Sequence, residues 1–349
     1  MTLAARLAER EPEEGSSGGA PGEVDELLLP PGLSPETARP LAGGRTLRLG
    51  GATMGTDWSL QAVVPRDHGT FGDGRVRAAL ERVFAVVIAQ MSQWEPRSQI
   101  SRFNRAAAGE AVAIGPQFAI VLDCALNFAR ATGGAFDPAL GAASEAWGFG
   151  AAPAPASLPL ADRSRLDWRA LRWSPGEAAL VQPGGVALDL SGIAKGFAVD
   201  MGIAALERLG IRHALLEIGG ELRGIGLRAD GLPWWVDCEQ VPAAHTPSAR
   251  VGLSGWAIAT SGDYRRRRSA EGRSWSHTLD PQSGRPLDNG VRAVSVLHRS
   301  CMQADALATA LTVLGPERGL AFADAHGIPA RMITADAALT SAAWRRWLG

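Results

Sequence analysis

One lysine stands in this chain. The other 34 of its 35 basic residues are arginine, so Lys195 marks a place where a compact ammonium on a flexible stem does what a planar guanidinium cannot. Drift in a GC-rich genome produces an arginine excess, but it does not account for the exception. Lys195 belongs to the run Asp189-Leu-Ser-Gly-Ile-Ala-Lys195-Gly, which reads as a strand ending at Asp189, a glycine-containing turn and a helix starting near Lys195. Such a turn aims backbone N–H groups, an ammonium and a carboxylate at one point, as an anionic ligand with a metal ion requires. The plainer reading of the same residues is an Asp N-cap followed by a solvated lysine.

A second candidate is Ala304-Asp305-Ala-Leu-Ala-Thr309-Ala-Leu. Asp305 and Thr309 are four residues apart and share one face of a helix. Hard cations such as Mg²⁺ take one or two carboxylates plus neutral oxygens, which suits the pair; as a ligand, Asp305 is expected to be partly exposed. Against this stands a first-turn Asp that complements the helix dipole and a Thr that bonds back to a carbonyl. Thr260-Ser261-Gly262-Asp263-Tyr264 and His277-Thr278-Leu279-Asp280-Pro281-Gln-Ser-Gly284 are turn-rich and bracket an Arg-dense hairpin at residues 265–268. His277 is a candidate base by residue type, yet a lone His is more often a packed or surface residue. Met91-Ser-Gln-Trp94 and Gly134-Ala135-Phe136-Asp137-Pro138 place aromatic and carboxylate groups at element ends, where most Trp residues are simply core. The common signatures are missing: there is no Walker A run, dinucleotide fingerprint, His-Glu-x-x-His or nucleophile elbow.

These residues need elements to hold them. Residues 76–90 carry Val76, Leu80, Val83, Phe84, Val87 and Ile88 at helical spacing, and 117–131 form a second such helix, ended by Gly133-Gly134. Further helices are expected at 193–209 and at 303–314, the latter closed by Gly315. Alternation predicts strands within 47–64 around a tight Met54-Gly55-Thr56 turn, and further strands are expected at 214–218 running into Gly219-Gly220 and at 291–298. Residues 171–190 read as one or two hairpins and 150–165 as a surface loop. Strands and helices mix without regular βαβ alternation, so the fold class is α+β.

With 349 residues, 46% hydrophobic and 20% charged, the composition is that of a globular protein. The net charge of -1 argues against a nucleic-acid partner, since binders of phosphate backbones carry a basic excess. No apolar run approaches the roughly 18 residues of a membrane span. Residues 1–45, clustered in Glu, Gly, Ser and Pro, read as a disordered leader ahead of a single domain at 46–349. The one greasy patch in that leader, residues 27–29, is too short for a signal peptide. Cys124, Cys238 and Cys301 are far apart and odd in number, which speaks against a disulfide framework or a zinc site. These features point to the cytoplasm.

Taken in order, the segments resemble the ApbE family, the FAD:protein FMN transferases. Carrying the resemblance are Met54-Gly55-Thr56, Met91-Ser92 with Ser98 and Asn104, Gly133-Gly-Ala-Phe-Asp137-Pro and Asp189-Leu-Ser-Gly-Ile-Ala-Lys195-Gly. Ile218-Gly-Gly220, Thr260-Ser-Gly-Asp-Tyr264, residues 277–281 and Ala304-Asp305-Ala-Leu-Ala-Thr309 continue it, so that it spans residues 48–345. It implies an α+β fold with antiparallel sheets flanked by helices around a flavin cleft. It also implies an Mg²⁺-dependent enzyme that transfers the FMN half of FAD to a threonine, or sometimes serine, hydroxyl of an acceptor protein and releases AMP. Carried over by position, Met54, Trp94, Ala135, Phe136, Asp137, Asp189, Lys195 and Leu279 would contact FAD. The Gly192 carbonyl and the Asp305 and Thr309 side chains would hold the metal. His277, or a carboxylate near the metal such as Asp305, would take the proton of the incoming hydroxyl. Three positions depart from the family pattern: Trp94 stands for a tyrosine, Thr278 for an aliphatic residue, and Glu221 follows the Gly-Gly where Asn or Asp is common. Two alternatives use the same residues: an FAD pyrophosphatase with water as nucleophile, and a non-catalytic FAD-binding protein.

Overall fold

Along Ala214–Ile218, Ala214, Leu216 and Ile218 join one apolar cluster while Leu215 joins another. Successive strand side chains point to opposite faces, and here both faces are covered. The computed structural model describes residues 24–348 except 32–38, 40, 67–71, 152–166, 175, 242–243, 245, 264–266 and 271. Tyr264, Arg265, Arg266 and nearly all of the expected surface loop lie outside the described residues.

The central sheet has eight strands: β1 (Arg45–Thr53), β2 (Thr56–Val64), β3 (Ala214–Ile218), β4 (Glu221–Ile225), β5 (Trp256–Gly262), β6 (Val291–His298), β7 (Ala330–Thr334) and β8 (Ala338–Thr340). Order across the sheet follows order along the chain, and every neighbouring pair is antiparallel. The start of β2, the β3–β4 turn and the end of β5 therefore meet at one end of the sheet, with Trp58 opposite Ile218 and Ile218 opposite Glu221. The β1–β2 turn is formed by Met54 and Gly55, both at positive φ (50° and 72°), the twist that a two-residue hairpin loop requires.

Four long helices cover one face. They are α1 (Asp73–Met91), α2 (Pro116–Ala131), α3 (Ala194–Arg208) and α4 (Cys301–Ala325). Their apolar stripes bury Leu80, Leu122 and Leu206 in one cluster with Leu60 and Leu216 of the sheet, each contributing about 1.5–3 kcal/mol. The opposite face, with Val63, Leu215, Leu222 and Ile258, packs on Trp234, Val251, Trp344 and Trp347. The architecture is α+β, as its mixed pattern predicts.

Two expectations need correction. Within the stretch read as disordered leader, Glu26–Leu28 is a strand that pairs in parallel with Ala249–Leu253; Leu28 is fully buried there while Leu27 and Leu29 stay exposed, so the middle residue of the short greasy patch serves the core. Among the described residues of 171–190 there is no local hairpin: Ala179–Val181 pairs with the distant Ala111–Ala113. Turn residues mark where a strand stops, not which strand it joins. The helix expected at 303–314 does end at Gly315, which leaves helical geometry with φ 79°; α4 continues beyond this kink as a second helical segment from Pro316 to Ala325.

Candidate active site

A cleft opens at the end of the sheet where β2, the β3–β4 turn and β5 meet, and the loops before α3 and after α2 close its sides. Trp94, Ala135, Phe136, Asp137, Asp189, His277 and Leu279 line it, together with Gly192, Lys195, Asp305 and Thr309. Met54 is not among its walls: it packs partly buried against the main apolar cluster, and its neighbour Thr56 lines the cleft instead.

Short-range hydrogen bonds fix the walls. Asp137 Oδ1 accepts from the Ala139 N–H at 2.8 Å, and Asp189 Oδ1 accepts from the Ser191 N–H at 2.8 Å, so each carboxylate stabilises its own turn. The Asp189 N–H donates to the Pro138 carbonyl at 2.9 Å, which joins the two loops. Asn104 bonds both backbone groups of Leu188, at 2.9 and 2.7 Å, and so holds the approach to Asp189. At the rim, Trp94 is left 48% exposed, a flat apolar surface suited to stacking. His277 meets Phe149 edge-on with ring centroids 6.1 Å apart.

The floor carries the charge. Lys195 forms an ion pair with Glu221 Oε1, and Glu221 Oε2 is buried without a hydrogen-bond partner. Asp305 is buried at 4% exposure, against the expectation of a partly exposed ligand, because α4 is covered on two sides: Ala304 and Ala308 enter one cluster, Ala306 and Ala310 another. Burial pushes both the Glu221 and the Asp305 carboxyl above the usual carboxylate range, and the Lys195 ammonium pulls each part of the way back. With both acids ionised, two carboxylates face one ammonium, and one negative charge remains to be balanced.

Backbone approach is unusually close here. A Cβ on Gly192 would come within 2.8 Å of Thr309 Oγ1, and Ser261 Oγ lies 3.2 Å from the same hydroxyl. One carboxylate, a hydroxyl and a nearby glycine backbone form an oxygen donor set with the chemistry of a hard cation. The donor set thus fits Mg²⁺. Gly196 donates its N–H to Asp305 Oδ2 at 3.0 Å, and a Cβ there would meet the Cys301 carbonyl oxygen at 2.3 Å. Gly196→Ala is therefore expected to push α3 and α4 apart and cost about 1–3 kcal/mol by overpacking. Thermal melting checks this; wild-type melting would contradict it.

Glu221 is the residue that sequence reasoning did not place in the site. Its signal was the carboxylate directly after Gly219-Gly220 at the head of an apolar strand, noted only as a departure from a family pattern. Thr56, Phe149 and Ser261 also line the cleft without having been singled out for it.

A profile of the ApbE family matches residues 54–332. The FAD:protein FMN transferase of Vibrio cholerae serotype O1 is 36% identical over 297 residues, covering 82% of this chain and 87% of that protein. That of Haemophilus influenzae is 32% identical over 302 residues, covering 83% and 86%. The solved structure of Pseudomonas stutzeri flavinyl transferase ApbE in its apo form superposes with a TM-score of 0.79 at 32% identity, covering 88% of this chain and 98% of that one. By sequence and by structure, this chain belongs to the ApbE family.

Proposed function

We propose that the protein transfers FMN from FAD to a threonine or serine hydroxyl of an acceptor protein, with Mg²⁺ held by Asp305, Thr309 and the Gly192 carbonyl. The observation that carries this reading is the buried Lys195–Glu221–Asp305 charge cluster at the floor of a cleft rimmed by an exposed tryptophan, in a member of this family. In the reaction the acceptor oxygen bonds to the FMN phosphorus, the phosphoanhydride bond to AMP breaks, and the hydroxyl proton passes to a base. Bound Mg²⁺ would neutralise the pyrophosphate and polarise its phosphorus–oxygen bonds. Trp94 would stack on the flavin, while Phe136 and Leu279 exclude water from around it. Asp137 and Asp189, whose turns hold the two joined loops, set the width of the cleft. Lys195 supplies a fixed positive charge beside the phosphates, and Glu221 holds that ammonium in place. His277 is the candidate to receive the hydroxyl proton.

The three cysteines are free, in keeping with the cytoplasmic location we propose. Among the described residues no helix is long and apolar enough to cross a membrane.

The test uses FAD, Mg²⁺ and a panel of threonine-bearing acceptor proteins. An acceptor is expected to become fluorescent on a denaturing gel while AMP accumulates in equal amount, because the phosphoester link is covalent. AMP without label across the panel would instead identify an FAD pyrophosphatase. FAD retained after metal removal with no AMP at all would identify a carrier.

A further inference from the structure

Asp200 does not line the cleft, yet its carboxylate gathers donors from two other elements. Oδ1 accepts from Arg223 of β4 at 2.5 Å and from the Cys301 N–H at 3.0 Å. Oδ2 accepts from the Ser300 hydroxyl at 2.7 Å and from the Met302 N–H at 3.0 Å. Ser300 is the N-cap of α4, so a carboxylate of α3 satisfies the first N–H groups of α4, where negative charge is favoured.

The spacing links this knot to the floor of the cleft. On α3, Gly196 lies one turn before Asp200; on α4, Asp305 lies one turn after Cys301. Residues four apart share a helix face, so the α3–α4 contact has two rungs: Asp200 to the Cys301 N–H, and the Gly196 N–H to Asp305. On β4, Arg223 is two residues from Glu221 and therefore on the same face. One carboxylate thus stands one turn or one strand repeat behind Asp305 and Glu221, on the helix that also carries Lys195.

We infer that Asp200 is a positioning residue that fixes α4 against α3 and β4, so that Asp305 and Thr309 are held at the geometry a divalent cation needs. The inference rests on the metal assignment proposed above. Residues that orient a ligand from behind typically change metal affinity by about 10- to 100-fold when lost. Asparagine at this position keeps the shape but presents an amide NH₂ to donors that need an acceptor.

The experiment measures Mg²⁺ affinity by titration calorimetry on the full-length protein, together with melting temperature, for wild type, Asp200→Asn and Ser300→Ala. Asp200→Asn is expected to bind Mg²⁺ at least about tenfold more weakly, and Ser300→Ala, which removes one of the four donors, a few-fold more weakly. As a control, Ser341→Ala deletes the N-cap of the short helix Ala342–Arg345, which meets α4 at Asp324, far along the helix from Asp305, and should lower melting while leaving Mg²⁺ affinity unchanged. If Asp200→Asn melts lower but binds Mg²⁺ as wild type does, the inference is overturned and Asp200 is a structural cap alone. If that variant does not fold, unchanged Mg²⁺ affinity in Ser300→Ala has the same consequence. Wild-type protein that binds no Mg²⁺ would overturn the metal assignment itself, and this inference with it.

Discussion

Asp305→Asn should abolish turnover while leaving the metal-free protein at least as stable as wild type. Asparagine keeps the carbonyl-type oxygen that accepts the Gly196 N–H, so the inner rung between α3 and α4 survives. What disappears is the carboxylate proposed to hold the cation. Metal stabilisation of a phosphoryl-type transition state contributes several kcal/mol, so the rate should fall by about a thousandfold. The stability half of the prediction follows from the raised carboxyl of Asp305. An acid whose pKa rises on folding binds its proton more tightly in the folded state, so its ionised form costs stability at neutral pH. Asparagine resembles the protonated form and removes that cost. Melting without metal, set beside AMP release with saturating Mg²⁺, checks both halves; a variant within tenfold of wild-type rate would remove Asp305 from the metal site.

Lys195 carries the second large effect, and two replacements separate its roles. Lys195→Met leaves the buried Glu221 and Asp305 without their cation. Breaking a buried pair by removing one partner costs about 3–5 kcal/mol, so this variant should melt far below wild type. Lys195→Arg keeps the charge and should fold with nearly wild-type stability. Its planar fork cannot occupy the place of an ammonium whose side chain is only 22% exposed, and a displacement of about 1 Å near the reacting groups costs on the order of a hundredfold in rate. FAD affinity by fluorescence titration and the rate of AMP release are the two readouts. Wild-type values of both in Lys195→Arg would return the lone lysine to genomic accident.

Periodicity made the scaffold legible where contacts are local. Val76, Leu80, Val83 and Val87 mark α1 within a few residues of its ends, and the short, mostly apolar run Ala214–Ile218 suits a strand covered on both sides. Pairing between distant segments was not legible. Nothing in Ala179–Val181 names Ala111–Ala113 as its partner, and the strand at Glu26–Leu28 is too short to show alternation. Ligand spacing on one helix was readable, since Asp305 and Thr309 lie one turn apart. Their burial depends on what covers α4, and so does the role of Glu221, which reaches Lys195 only because the β3–β4 turn brings it back over the start of α3. Even so, a helix apolar nearly all round is a buried helix, and the sequence around Asp305 already had that character.

The position of the helices within the sheet has a consequence for how the molecule assembles. β2 and β3 are neighbours in the sheet, but α1, α2 and α3 lie between them in the chain. Closing a loop of roughly 150 residues costs about 4 kcal/mol in chain entropy before the first pair of this ladder forms. The β3–β4, β5–β6 and β6–β7 pairings close much shorter loops, and the helical excursion is rich in contacts of its own, so both halves are expected to gain structure before they join. The seam between them runs past Trp58 and Ile218 to the mouth of the cleft. In refolding experiments, recovery of flavin binding should therefore lag behind recovery of helical circular dichroism, and the ligand should act as a clamp on the slowest step.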